Sequence, residues 1–184
     1  MQRVGLISRH GAQEAENLAA RVGALLRERG LQVWHCSLDD ERGLLSAAPE
    51  LDLLIIFGGD GTIQEALGPI IAADAVLGPI PGGTGNRLVE VVGSDCYDPV
   101  AQARWMMRQA VKRMDVGVAN GRYFTVRVGV GFEAVVASET EDDKSGLGNF
   151  AYVLATLRAA RQIDSHHVRV TAEGKLLYEG SMVA

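Results

Sequence analysis

Short apolar runs alternate with longer stretches in which apolar residues recur every three or four positions, and this alternation of periods governs most of the chain. Arg3 to Ser8 (RVGLIS) reads as a first strand. Glu14 to Arg29 then carries Leu18, Val22, Leu25 and Leu26 on one helical face, with Gly30 as terminator. A second strand, Leu31 to Cys36, follows directly, and a short helix leads to the run that opens at Leu51. LDLLIIF is apolar on both faces and too short for a core helix, so it is expected to be a strand buried on both sides. Val76 to Ile80 is the next strand. Strands alternating with helices predict an α/β fold with a parallel sheet between two helical layers, wound by right-handed crossovers.

The later pattern differs. Beyond Pro99 a helix carries Val100, Trp105, Met106 and Val111, with Arg104, Arg108, Lys112 and Arg113 between them. Trp105 is assigned to the core. The basic face is expected to be solvated, with contact to phospholipid head groups as the competing reading. At Met114 the period becomes that of strands, and Asn120-Gly121 between two alternating runs is a strong hairpin signal. A lobe boundary is therefore expected near Arg113, giving an α/β lobe over 1–113 and a partial β-rich lobe over 114–184. Glu139, Glu141, Asp142 and Asp143 read as an exposed acidic loop rather than a metal cluster. Leu147 to Ile163 reads as an amphipathic helix with Phe150, Val153, Leu154 and Leu157 inward. The last residues form a hairpin turning at Glu173-Gly174, and His166 and His167, adjacent on a strand, point to opposite faces.

Candidate chemistry concentrates where strands end in glycine. After Phe57 the sequence becomes Gly58, Gly59, Asp60, Gly61 and Thr62, and IQEAL resumes helical spacing. Glycines permit positive φ and remove the Cβ atoms that hold a ligand away. Thr62 is expected to be the helix N-cap, with Glu65 completing a capping box, so that unpaired amides and the helix dipole face the turn. A phosphate suits such a place. The design repeats at Gly82, Gly83, Thr84, Gly85 and Asn86, after a strand whose ladder Pro81 would block. Two such turns at the same end of neighbouring parallel strands would face one crevice.

Composition narrows the classes. A net charge of −5 argues against a nucleic-acid protein and against a polybasic anchor. The N-terminus shows no signal pattern and no apolar run approaches twenty residues, which predicts a cytoplasmic protein, peripheral to the membrane at most. Cys36 and Cys96 lack metal-ligand spacing and read as reduced bystanders. His10, beside Arg9 on a turn, reads as a solvated side chain rather than a base.

The GGDGT of Gly58 to Thr62 with Glu65 three residues on, together with the PGGTGN of Pro81 to Asn86, resembles the diacylglycerol kinase catalytic-domain family, which includes bacterial lipid kinases and sphingosine kinases. GGDG alone points to a wider superfamily that includes NAD kinases and phosphofructokinases; the second motif selects. The resemblance implies a three-layer nucleotide-binding lobe followed by an antiparallel β-sandwich lobe, incomplete here, with ATP in the crevice between lobes and Mg2+ as cofactor. It implies nucleotide contacts at the end of the first strand, where this chain has Ser8 and Arg9 in place of an Asn-Pro or Asn-Arg step, and after the second strand, where Ser37 is the nearest match to a Thr. Arg87 stands where the family commonly has Asp, and Thr125 and Arg127 replace residues of a cleft-facing Asn-Val-Ala-Gly segment.

Phosphoryl transfer needs positioning and charge neutralisation more than covalent help. A carboxylate inside a phosphate turn repels the ligand unless a cation intervenes or it takes a proton from an attacking hydroxyl, so Asp60 is the candidate catalytic residue, as general base or metal organiser. The leading expectation is an ATP-dependent kinase acting on the hydroxyl of a lipid such as diacylglycerol. The alternatives are an NAD-kinase-like or other small-alcohol kinase, and a nucleotide-binding module without turnover. A homodimer through the second lobe is expected from apolar positions such as Val168, Val170, Leu176, Leu177 and Met182 on its last hairpin.

Overall fold

The computed structural model of the chain describes residues 2–82, 86–93, 98–128 and 165–183. Two compact units divide after Val126, one spanning Met1–Val126 and the other Arg127–Ala184. The acidic loop at 139–143 and the helix expected over 147–163 lie outside the described residues.

The first unit is an α/β sandwich of the kind the alternation predicts. Strands β1 (Arg3–Ser8), β2 (Gln32–Ser37), β3 (Leu53–Gly58) and β4 (Leu77–Pro81) form a parallel sheet in the order β2-β1-β3-β4. Helices α1 (Gln13–Glu28) and α5 (Pro99–Met106) cover one face; α2 (Glu41–Ala47), α3 (Asp60–Ala72) and α4 (Arg87–Val91) cover the other. The period of two in β3 decides which side chain feeds which layer. Leu53, Ile55 and Phe57 pack with Val22 and Leu26 of α1, whereas Leu54 and Ile56 pack with Ile63, Leu67 and Ile70 of α3. All six residues of β3 are buried. This central strand is therefore the shared floor of both cores, each large side chain contributing roughly 1.5–3 kcal/mol.

Strand order reverses between β1 and β3. From β1 the chain steps outward to β2 with α1 on one face, and from β3 it steps the other way to β4 with α3 on the opposite face, as one crossover hand requires. The C-terminal ends of β1 and β3 consequently flank the switch point where α/β sheets hold ligands.

Strand β4 pairs on one side only among the described residues, and its two prolines fit that position. Leu54 N–H donates to the Val76 carbonyl and Gly82 N–H to the Gly58 carbonyl, so even-numbered residues of β4 face β3 and odd-numbered ones face outward. Pro79 and Pro81 are both odd. Instead of blocking the ladder, they remove two N–H donors that the open edge would have presented. The outward Pro79 carbonyl accepts from Gln102 Nε2 of α5 at 2.8 Å, and Gln102 is fully buried.

The hairpin signal is also realised. Strands β5 (Gly117–Ala119) and β6 (Arg122–Phe124) pair antiparallel across Asn120 and Gly121, with φ of 50° and 78°, as a type I′ turn requires. The hairpin clusters with the first unit, and β6 packs against α3. In the second unit β7 (Ser165–Ala172) and β8 (Lys175–Val183) form the other hairpin, with Glu173 at φ 51° and Gly174 at φ 75°. Arg169 donates to Glu179 at 2.8 Å and holds that carboxyl below its ordinary range, with His167 adding to the effect.

Ile56→Ala opens a cavity at the shared floor and is expected to cost about 2–5 kcal/mol. Val118→Ala, at an exposed hairpin position, is expected to stay within about 0.5 kcal/mol. Urea unfolding of both variants checks this, and equal midpoints would contradict a strand buried on two faces.

Candidate functional site

The first glycine turn differs locally from its sequence reading. Helix α3 begins at Asp60, and its N-cap is Gly59, in extended conformation with no side-chain cap. Thr62 is thus inside the first turn rather than at the cap. Its side chain lies over Gly58, where a Cβ would meet Thr62 Oγ1 at 2.5 Å and Cβ at 2.6 Å. Gly58 is glycine because Thr62 packs there. None of Gly58, Gly59, Gly61 and Gly82 has positive φ, so close approach, not left-handed backbone, explains these glycines.

The second turn meets the first backbone to backbone. Gly82 N–H donates to the Gly58 carbonyl at 3.2 Å, and a Cβ on Gly82 would lie 3.2 Å from the Gly58 nitrogen. Gly61, by contrast, has open space where its Cβ would be. Open space beside a first turn with no side-chain cap fits a phosphate group. Gly83, Thr84 and Gly85 lie outside the described residues; Asn86 is the N-cap of α4.

Asp60 ties the two turns together. Its Oδ2 accepts the Arg87 N–H at 2.9 Å and its Oδ1 accepts the Leu88 N–H at 3.0 Å, so a side chain from the first turn satisfies the start of α4. No side-chain pattern announces these partners, because both are backbone amides. The bond also explains why Arg87 can replace an acidic residue here: its amide serves Asp60 while its guanidinium pairs with Glu90 at 3.0 Å. Two accepted bonds leave about half of the acceptor capacity of a carboxylate for another group.

Glu65 does not close a capping box. It binds Arg9 instead, with Nη2 to Oε1 at 2.6 Å, and this pair joins the end of β1 to α3 across the switch point. The charge is half-exposed on both sides, so the pair is worth little to stability and more as a fixed position for the guanidinium.

Ser8 and Ser37 are register partners at the ends of β1 and β2. Beside them opens a cleft of about 190 Å3 lined by Ser8, His10, Glu16, His35, Cys36 and Ser37. The Ser37 hydroxyl donates to Asp39 Oδ2 at 2.9 Å, and Asp39 also accepts the His10 N–H at 3.2 Å. These bonds, Ser37 first, hold the Asp39 carboxyl below its usual range. Burial, followed by Asp40, pushes the Cys36 thiol up, which keeps it protonated and unreactive. His10 is exposed. The fold therefore gathers Ser8, Arg9, Ser37, Gly58 to Thr62, Glu65, Gly82 and Asn86 along one end of the sheet.

Among the described residues no group of three or more His, Cys, Asp or Glu is placed to hold a metal ion. Mg2+ commonly takes one or two carboxylates plus substrate phosphates, and the remaining lone pairs of Asp60 fit that smaller role.

Gly58→Ala is expected to destabilise the protein by about 1–3 kcal/mol through the clash with Thr62. Gly61→Ala is expected to leave it as stable or up to about 1 kcal/mol more stable, since alanine favours the helix and meets nothing. Thermal melts of the two variants check the pair, and a reversed order would refute the packing account of Gly58.

The Diacylglycerol kinase catalytic domain family matches residues 7–119, which contain both glycine turns and every candidate site residue. The Diacylglycerol kinase of Bacillus subtilis is 30% identical over 141 residues, covering 75% of this chain and 46% of that protein. The Diacylglycerol kinase of Mycobacterium tuberculosis is 29% identical over 178 residues, covering 91% of this chain and 57% of that one. A solved diacylglycerol kinase structure from Bacillus anthracis str. Sterne superposes with a TM-score of 0.68 at 26% identity, over 99% of this chain and 62% of that chain. The chain spans about half the length of the curated relatives it matches. With a family match over more than half of its residues, the chain belongs to the diacylglycerol kinase catalytic domain family.

Proposed function

We propose that this chain is the nucleotide-binding part of an ATP-dependent kinase that phosphorylates the hydroxyl of a lipid such as diacylglycerol. The observation that carries the reading is the junction of the two turns: Gly82 on Gly58, and Asp60 on the amides of Arg87 and Leu88. It supports a rigid cradle at the ends of adjacent parallel strands, open at Gly61. The amides of Gly59 to Thr62 would hold nucleotide phosphates, Arg9 would supply positive charge from across the switch point, and Ser8 and Ser37 would border the nucleotide on the β2 side. The second turn, Gly82 to Asn86 with Thr84, would enclose the phosphates from β4. Mg2+ would neutralise phosphate charge beside Asp60. Asp60 itself, fixed by two amides, is the group held ready for the attacking hydroxyl or the metal.

Two variants test this. Gly59→Asp keeps a good N-cap at a residue already extended, so the fold should survive. It adds a negative charge at the phosphate position and is expected to weaken Mg-ATP binding by roughly a hundredfold or more in calorimetric titration. Unchanged affinity would remove the phosphate cradle. Asp60→Asn keeps one acceptor and loses the other; phosphotransfer to dispersed diacylglycerol is expected to fall on the order of 100-fold or more, with ATP affinity much less affected. Normal turnover in Asp60→Asn would reduce Asp60 to a latch between the turns.

The proposal extends to assembly. Leu176, Leu177 and Tyr178 of β8 are exposed, and a β-hairpin with apolar exposure favours pairing with a second copy. Light scattering over a concentration series is expected to show self-association that Leu176→Lys with Leu177→Lys abolishes; a constant monomer mass would oppose it.

A further inference from the structure

The segment from Arg104 to Asp115 has a charge unlike the rest of the chain. It holds four cations, Arg104, Arg108, Lys112 and Arg113, against one carboxylate, Asp115, in a protein of net charge −5. Every residue from Arg108 to Asp115 is exposed. Among the described residues Arg104, Arg108 and Lys112 make no ion pair, and Arg113 meets only Asp74, at 3.4 Å with both side chains largely in water. The segment leaves α5 after Met106 and runs without regular structure to β5. Between its cations it exposes Val111 to 66% and Met114 to 43%.

A merely solvated basic helix face would place polar residues between its charges. Here aliphatic side chains stand out into solvent among the cations, which wastes apolar surface unless something covers it. A surface that takes both features is an anionic lipid bilayer, where cations meet head groups and short apolar side chains enter the interface. Nucleic acid would use the charges and leave Val111 and Met114 bare.

We propose that Arg104 to Met114 is a membrane-docking segment that seats this unit on anionic phospholipid. The inference rests on the lipid-kinase reading only for its purpose: a kinase whose acceptor stays in a bilayer must work at the bilayer surface. The docking itself follows from the segment's charge and exposure.

The test is cosedimentation of the nucleotide-free protein with vesicles of phosphatidylcholine and phosphatidylglycerol in equal parts, against pure phosphatidylcholine. Binding is expected for the anionic vesicles, to weaken as salt rises, and to fall on the order of 20-fold in Arg108→Gln with Lys112→Gln, since each surface cation contributes about a factor of five. Val111→Ser with Met114→Ser is expected to weaken binding without changing the salt dependence. All four side chains are exposed, so melting temperatures should match the parent. No anionic preference, full binding in the Gln variant, or tighter binding to duplex DNA than to vesicles would each overturn the proposal. Phosphotransfer to a monomeric short-chain acceptor, measured in the same variants, should stay at the parent level. Its absence in every variant would count against the kinase reading and leave the vesicle result standing.

Discussion

Two stretches of backbone from adjacent strands approach so closely that neither can carry a side chain at the point of contact. Gly58 ends β3 under the Thr62 side chain, and Gly82 ends β4 against the Gly58 nitrogen. The candidate site depends on this contact, because it fixes the spacing of the two turns to within one hydrogen bond. A single methyl at either position would force apart elements that are buried through β3 on both faces. The glycines thus act first on packing, and the open space at Gly61 is what remains for a ligand.

The carboxylate of Asp60 reinforces the contact electrostatically. A negative side chain at the start of α3 is favoured by the helix dipole, and the same group satisfies two amides at the start of α4. A charge that looks paradoxical in a phosphate turn is therefore already answered by backbone donors before any cation arrives. Arg9 and Glu65 form a second, weaker tie across the switch point, between β1 and α3. Together the two ties join the ends of β1, β3 and β4, so the strands that carry the candidate residues are held at the one end where they must agree in position.

Much of this was legible in sequence, for definite reasons. LDLLIIF is apolar at every position because both faces of β3 are covered, and the strand spans Leu53–Gly58 as expected. Asn120-Gly121 and Glu173-Gly174 fixed two hairpins because only a few residues tolerate positive φ there. The two glycine motifs marked the right end of the sheet. What sequence could not show was which function each glycine served, since close packing and ligand access both call for a missing Cβ. It also placed the N-cap at Thr62, because Thr is a good cap, whereas the extended Gly59 starts the helix two residues earlier than that reading allows. Glu65 followed the capping-box spacing, but an arginine distant in sequence competes for the same carboxylate and wins at 2.6 Å. Contacts between a side chain and remote backbone, such as Asp60 with Arg87 and Leu88, leave no compositional trace.

The edge of the sheet beside the site completes the logic. A strand that carries a ligand turn must be held firmly, yet β4 has a neighbour on one side only among the described residues. Its outward positions are occupied by Pro79 and Pro81, which offer no donor to a foreign strand, and the Pro79 carbonyl is taken by buried Gln102. Gln102 achieves this at a cost, since its own Oε1 is buried without a partner. A leucine there would avoid that cost but leave the Pro79 carbonyl unpaired beneath α5. Retaining the amide closes the edge with α5 rather than with another strand, and the helix that closes it is the one that leads directly into the exposed basic segment.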